Sequence, residues 1–335
     1  MIKSLSSLRF FFAIMVFVVH LGFFHVAIGH AFFIILSGFI LSHVYGDKVL
    51  QKKITYRDFF SKRLLRIYPL HIITLLIAIP LSMDGVYEKT VKWFTIFFLN
   101  LFSLQTFVPN NFYYFSFNGV AWNAADLIVF YACFPFLILL FSKINIKLYA
   151  IFILFCIVFI ILLMVLLPEK YHTYLFYICP FFRIADFILG MFLYRLVKKI
   201  ATSPSYKIAS ILEISTIIVV ILFYCLAVYN LELVTPFVHS VYLWLPLSLL
   251  ILVFYFDAGI ISKKLLSSRV MLFLGGLSYS FYMIHQLVIR YAELINKKYY
   301  NIEVNALYYT ACFCITLLLA YLSNKYFERL FYKNK

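Results

Sequence analysis

Arg9 and His20, two groups that hydrocarbon rejects, close the ends of a twelve-residue stretch, RFFFAIMVFVVH, that is otherwise almost wholly apolar. Eleven residues of α-helix turn through about 1100° and rise roughly 16 Å, so both side chains share one face, three turns apart. Ionisable groups inside a membrane are costly and usually face the bundle interior, which makes both functional candidates. A deep imidazole also needs a partner and accepts a proton near neutral pH. Arg9 can equally serve as a snorkelling end-of-helix anchor. His25 and His30 fall at outer helix ends, where interfacial water is expected to solvate them.

Further along, Arg63 and Arg66 stand three apart at the start of a helix, with Lys62 beside them. One face then presents two guanidiniums, which suits bidentate binding of phosphate, although a positive stop that sets topology is an equal reading. The stretch WNAADLIVFYACFP places Trp122 at an outer helix end as an ordinary interfacial anchor and Asp126 a turn later, where burial of a carboxylate is harder to explain. Arg183 and Asp186 are at i, i+3 and predict an internal, structural ion pair. His285 sits beyond the middle of its helix at a depth comparable with His20, so two histidines and a carboxylate are expected to converge in the outer half of the membrane. Ser37 and Gly38 fit helix packing, the serine bonding back to its own helix. No His or Cys group has metal-ligand spacing, and no metal is expected; the six cysteines fall in apolar spans as buried thiols. This charge pattern suits an enzyme that takes a phosphorylated donor from the cytoplasm to an outward-facing acceptor. A proton-coupled or polysaccharide-precursor transporter would fit it as well.

Such residues need a frame of membrane helices. Of the 335 residues 65% are hydrophobic and 13% charged, with a mean hydropathy of +0.99, which excludes a water-soluble globular domain. The net charge of +16 comes from Lys and Arg in short loops between apolar runs, so it predicts contact with anionic lipid headgroups rather than nucleic acid. Putting the basic loops 47–66, 142–147, 195–207, 262–269 and the tail from 325 on the cytoplasmic side gives ten crossings, near 6–26, 29–46, 67–83, 120–141, 148–168, 176–196, 208–229, 238–256, 270–291 and 304–324. Both termini then lie inside. An eleventh apolar run, 93–107, would break the parity and is expected to be re-entrant or interfacial. The expected fold is all-α, a polytopic bundle of about ten transmembrane helices forming one domain over 1–335 with no separate soluble domain.

Seven stretches in order resemble the acyltransferase-3 family of bacterial membrane proteins: SLRFFFAIMVFVVH, FFIILSGFIL, RLLRIYP, WNAADLIVFYACFP, FRIADFILGMF, LGGLSYSFYMIH and YLSNKYFERLF. The chain departs from the family pattern in having Leu127 where a glutamate is usual, with Asp126 one place earlier, and Leu330 where a proline is usual. The first departure rotates the carboxylate by about 100° on a helix. The resemblance implies a ten-helix O-acyltransferase of the inner membrane that uses acetyl-CoA to modify hydroxyls of a surface glycan, free or lipid-linked, and compact O-antigen acetylases are the nearest type. On that reading His20 is a general base or forms a transient acetyl-histidine, Arg9 lines the donor path, and Arg63, Arg66 and Lys62 hold the donor phosphates. Asp126, Trp122, Arg183, Asp186, His285 and Ser37 are the supporting candidates. The aromatic stretch FVPNNFYYFSFNGVAW would stack on sugar rings or form an interfacial belt.

Overall fold

The computed structural model describes residues 2–23, 26, 28–85, 90–200, 202–229 and 241–332. His25 and the first residues of the expected 238–256 span lie outside the described residues. Among the described residues there is no strand, and eleven helices of ten or more residues carry the fold. They are α1 (Lys3–His20), α2 (Ile28–Leu50), α3 (Tyr56–Ile77), α4 (Thr90–Leu101), α5 (Ala121–Ser142), α6 (Ile146–Leu166), α7 (Pro180–Val197), α8 (Tyr206–Tyr229), α9 (Trp244–Phe254), α10 (Arg269–Ile295) and α11 (Ala306–Leu322).

Seven of these (α1, α2, α5, α6, α8, α10 and α11) are long and apolar enough to cross a bilayer. An eighth is counted when α7 is joined to Glu169–Ile178, from which it is bent by 47°. The chain is therefore an all-α, multi-pass membrane protein. The remaining two expected crossings correspond to α3, whose first turns carry Arg57, Asp58, Lys62, Arg63 and Arg66, and to α9, which has 11 residues. Helix α4 has 12 residues, about 18 Å, against a hydrocarbon core of about 30 Å. It is too short to cross, as expected for a re-entrant or interfacial piece.

Two boundaries differ from the sequence reading in ways that matter for the site. Helix α1 stops at His20 instead of running to 26, because the chain turns at Leu21 and at Gly22, whose φ of 84° belongs to glycine. His20 is thus a terminal residue of its helix. Helix α3 begins at Tyr56, ahead of the helix start read at Arg63 and Arg66 and of the crossing expected from 67, since the Thr55 hydroxyl oxygen accepts from the Asp58 amide as an N-cap. Arg63 and Arg66 consequently lie within the helix, two and three turns from its start.

Small residues set how the helices meet. A Cβ on Gly38 of α2 would overlap the Phe187 carbonyl of α7, and one on Gly190 of α7 would overlap the Ile35 carbonyl of α2. Two glycines thus let these backbones cross in contact, the packing role read from Gly38. Helices α1 and α10 run side by side in the same direction. Gly275 of α10 leaves no room for a Cβ against the Ser6 carbonyl, Ser7 Oγ donates to the Leu266 carbonyl at 2.6 Å, and Phe10 meets Phe281 edge-on. The start of α1 is fixed by Asp257, whose carboxylate accepts from the amides of Lys3 at 2.9 Å and Ser4 at 2.8 Å, satisfying free N–H groups at a helix end. The cysteines only partly follow expectation: Cys179 and Cys312 are buried, but Cys314 is exposed on α11, as befits a small apolar side chain facing lipid.

Candidate functional site

The end of the bundle that carries the Lys- and Arg-rich loops, here called the basic end, opens into a cavity of about 440 Å³ between α1, α2, α3, α5 and α10. Arg9, Arg63 and Arg66 line it, together with Ser37, His43, Asn123 and apolar side chains, and among the described residues no Asp or Glu contributes to its wall. Each arginine comes from a different constraint. Arg9 is held by Nη2 donating to the Gly275 carbonyl at 3.0 Å, a consequence of the close α1–α10 contact, and its buried Nε has no hydrogen-bond partner among the described residues. Arg63 donates from Nη2 to the Tyr45 hydroxyl at 2.9 Å and lies 4.8 Å from the centre of that ring. Arg66 is one turn further along the same face of α3. Lys62 stands outside the lining. Three guanidiniums with no acidic neighbour on the wall make a strong anion site, and the apolar remainder suits a long uncharged arm.

Beyond this cavity, towards the far ends of α1 and α10, lie the two histidines. His20 Nδ1 is 2.9 Å from the Val16 carbonyl and 3.4 Å from His285 Nε2, while His285 Nδ1 is 2.6 Å from the Tyr282 carbonyl. Carbonyls only accept, so both Nδ1 atoms carry protons. Neutral His285 then has its lone pair on Nε2, facing the N–H of His20. The arrangement fixes the tautomer of His20 and leaves its own lone pair on Nε2, away from both acceptors. His285 is fully buried and His20 only partly so, which makes His20 the imidazole a reactant can reach. Phe17 and Phe281 pack edge-on and stacked against His285 and hold its ring.

The expected carboxylate does not join this pair. Asp126 is fully buried, but neither of its carboxylate oxygens has a hydrogen-bond partner among the described residues, so none links it to either histidine. The one-residue offset is the physical reason: Leu127 lines the cavity, and a residue about 100° round the helix points away from it. Arg183 and Asp186 form the ion pair read from their spacing, Nη1 to Oδ2 at 3.1 Å with both side chains buried. Trp244 Nε1 donates to the second Asp186 oxygen, and the Arg183 Nη1 also meets the Phe176 carbonyl at 3.4 Å. This cluster ties α7 to α9 and to the Phe176 carbonyl just before α7.

Two expectations are corrected on the neighbouring face. Trp122 is no interfacial anchor: it is 2% exposed and packs on His30 and Tyr177, with ring centres 4.9 and 4.7 Å away. His30, expected in interfacial water, is 1% exposed, and its Nδ1 is 2.8 Å from the Tyr177 hydroxyl. A signal for it was present, since His30 shares a helical face with Phe33 at i+3 and Ser37 at i+7, both on the cavity wall. Tyr45, Asn123 and Tyr282 were also not singled out from the sequence. Nothing in their local spacing distinguishes them from the many other aromatic and amide residues of the chain. The aromatic stretch at 107–122 divides: Phe112 and Phe115 are exposed, while Tyr114, Phe117 and Trp122 are buried.

A family model described as an acyltransferase domain, that of the acyltransferase-3 family, matches residues 2–325. Neither a curated protein nor a solved structure matches the chain.

Proposed function

Because the chain belongs to the acyltransferase-3 family of acyltransferases, we propose that it moves an acetyl group from acetyl-CoA to a hydroxyl of a cell-surface polysaccharide or its lipid-linked precursor, with O-antigen as the acceptor. The protein sits in the bacterial inner membrane with both termini and the basic end in the cytoplasm, where its Lys- and Arg-rich loops belong. The observation that carries this reading is the convergence of Arg9, Arg63 and Arg66 on one cavity without acidic lining, placed next to a histidine of fixed tautomer.

Acetyl-CoA enters from the basic end. Arg63 and Arg66 hold its phosphates, Arg9 flanks the arm, and the thioester points towards His20. His20 Nε2 takes the proton of the acceptor hydroxyl as its oxygen attacks the thioester carbonyl. The carbon–sulfur bond breaks, and the same proton passes from His20 to the departing thiolate, leaving an ester and CoA thiol. General-base action of this kind is worth typically 10²–10⁴-fold in rate. His285 does not touch the reactants in this scheme and positions His20.

The reading is tested in membrane vesicles supplied with radiolabelled acetyl-CoA and native glycan. Label on the glycan that depends on the protein supports it. Folded protein that moves no label, while glycan precursor crosses the membrane without consumption of acetyl-CoA, would replace it with the transporter reading.

A further inference from the structure

The donor cavity does not reach His20, and what stops it is aromatic. Along α10 the wall passes through Ser278, Tyr279 and Tyr282. His285 lies three residues beyond Tyr282, about 4.5 Å of rise, and is not part of the wall. On α2 the wall includes Phe33. The Phe33 and Tyr282 rings meet edge-on at 5.7 Å, and the Tyr282 ring is also 5.8 Å from that of His285. The Tyr282 hydroxyl donates to the Val120 carbonyl at 2.8 Å, which ties the ring across to the start of α5. Tyr282 is 5% exposed, and its ring is held by both the Phe33 contact and the Val120 tie.

We propose that Phe33 and Tyr282 form a septum between the donor cavity and His20, and that this septum determines specificity by limiting the size of the acyl group that reaches the imidazole. The proposal rests on the acyltransferase reading for its substrate, but the barrier itself is a matter of geometry. An acyl group entering from the basic end must pass the two rings. Acetyl asks for the smallest displacement, and each added methylene must find room against Phe33 or break the tie to Val120. The same septum keeps cytoplasmic water from a thioester poised at His20.

Two measurements on the full-length protein in membranes test this. In the first, transfer of butyryl and acetyl groups from their CoA esters is compared for wild type, Tyr282→Ala, Phe33→Leu and Tyr282→Phe. The ratio of butyryl to acetyl transfer should rise about tenfold or more in Tyr282→Ala, and in the same direction for Phe33→Leu, since a methylene in an apolar site is worth about 10- to 200-fold. Tyr282→Phe keeps the ring but loses the tie to Val120, so it should raise the ratio less than Tyr282→Ala does. The second measurement does not use turnover. The variant H20C is exposed to the anionic reagent 2-sulfonatoethyl methanethiosulfonate at the basic face, and peptide mapping separates the new thiol from the six native ones. The new thiol should stay unlabelled with Tyr282 and Phe33 in place and become labelled when H20C is combined with Tyr282→Ala or Phe33→Leu. Equal labelling with and without the rings, or none in either combination, overturns the septum. An unchanged acyl ratio in variants that still transfer acetyl overturns its role in specificity. If wild type transfers no acyl group although the labelling follows the rings, the barrier stands and the acyltransferase chemistry falls.

Discussion

Replacing His285 should weaken catalysis far less than replacing His20, and the geometry says by how much. His20 Nδ1–H has two acceptors, the Val16 carbonyl at 2.9 Å and His285 Nε2 at 3.4 Å. His285→Leu removes the longer bond and leaves the shorter one, which still keeps the proton on Nδ1 and the lone pair on Nε2. A neutral hydrogen bond contributes about 0.5–1.5 kcal/mol, and a 3.4 Å contact belongs at the low end of that range. Converted to rate, the loss in kcat is about 2- to 3-fold. His285→Gln offers an amide oxygen in place of the imidazole nitrogen and should recover part of it. His20→Ala, by contrast, should cost about 10²–10⁴-fold. The assay is single-turnover acetyl transfer in vesicles, normalised to folded protein and run with saturating donor so that binding does not enter. If His285→Leu is as inactive as His20→Ala while remaining folded, His285 takes part in the chemistry itself and the tautomer argument is wrong.

Other consequences concern the donor site and the frame. Arg63→Ala and Arg66→Ala should each raise KM for acetyl-CoA by about 10- to 150-fold through loss of a charge-assisted hydrogen bond worth about 1.5–3 kcal/mol, with kcat changed much less, as initial-rate kinetics would reveal. Tyr45→Phe, which removes one bond to the head of Arg63 but keeps the ring beneath it, should raise KM by only a few-fold, in keeping with about 1 kcal/mol for a neutral bond. Gly38→Ala should destabilise the α2–α7 contact by about 1–3 kcal/mol, visible as a lower unfolding midpoint in detergent, because its methyl group meets backbone and not a movable side chain. Asp186→Leu leaves Arg183 buried without its carboxylate and should cost about 3–5 kcal/mol in the same measurement.

Much of the frame was legible because membrane helices write themselves as long apolar runs, and the basic loops between them are equally plain. Helix α1 shows where that logic stops. Its apolar run continues past His20, but the turn at Leu21 and Gly22 ends the helix there, and hydropathy does not register a turn inside an apolar stretch. The face-sharing of Arg9 and His20 was readable from an eleven-residue spacing, whereas their different partners, Gly275 and His285, depend on which helix lies alongside α1. That choice is made by Gly275, one glycine among ten. The Arg183–Asp186 pair was readable because it is local. The burial of Trp122 was not, since it looked like a helix-end residue until α2, α5 and the Tyr177 turn came together around it, and that of His30 was signalled only by the face it shares with Phe33 and Ser37. The position of Asp126 falls between these cases. Its rotation away from the usual glutamate position was evident in the sequence, and only the packed structure shows it fully buried with neither oxygen hydrogen-bonded among the described residues.

The central claim is that His20 performs the chemistry while the arginines hold the donor, and separating binding from transfer tests it most directly. Purified wild type, His20→Ala and Arg66→Ala would be titrated with radiolabelled acetyl-CoA in nanodiscs, and the same samples assayed for transfer of the label to glycan. The account predicts that His20→Ala binds acetyl-CoA like wild type and transfers none of it, whereas Arg66→Ala binds weakly and still transfers at high donor concentration. Full transfer by His20→Ala, or loss of binding in that variant with undisturbed binding in Arg66→Ala, would contradict it.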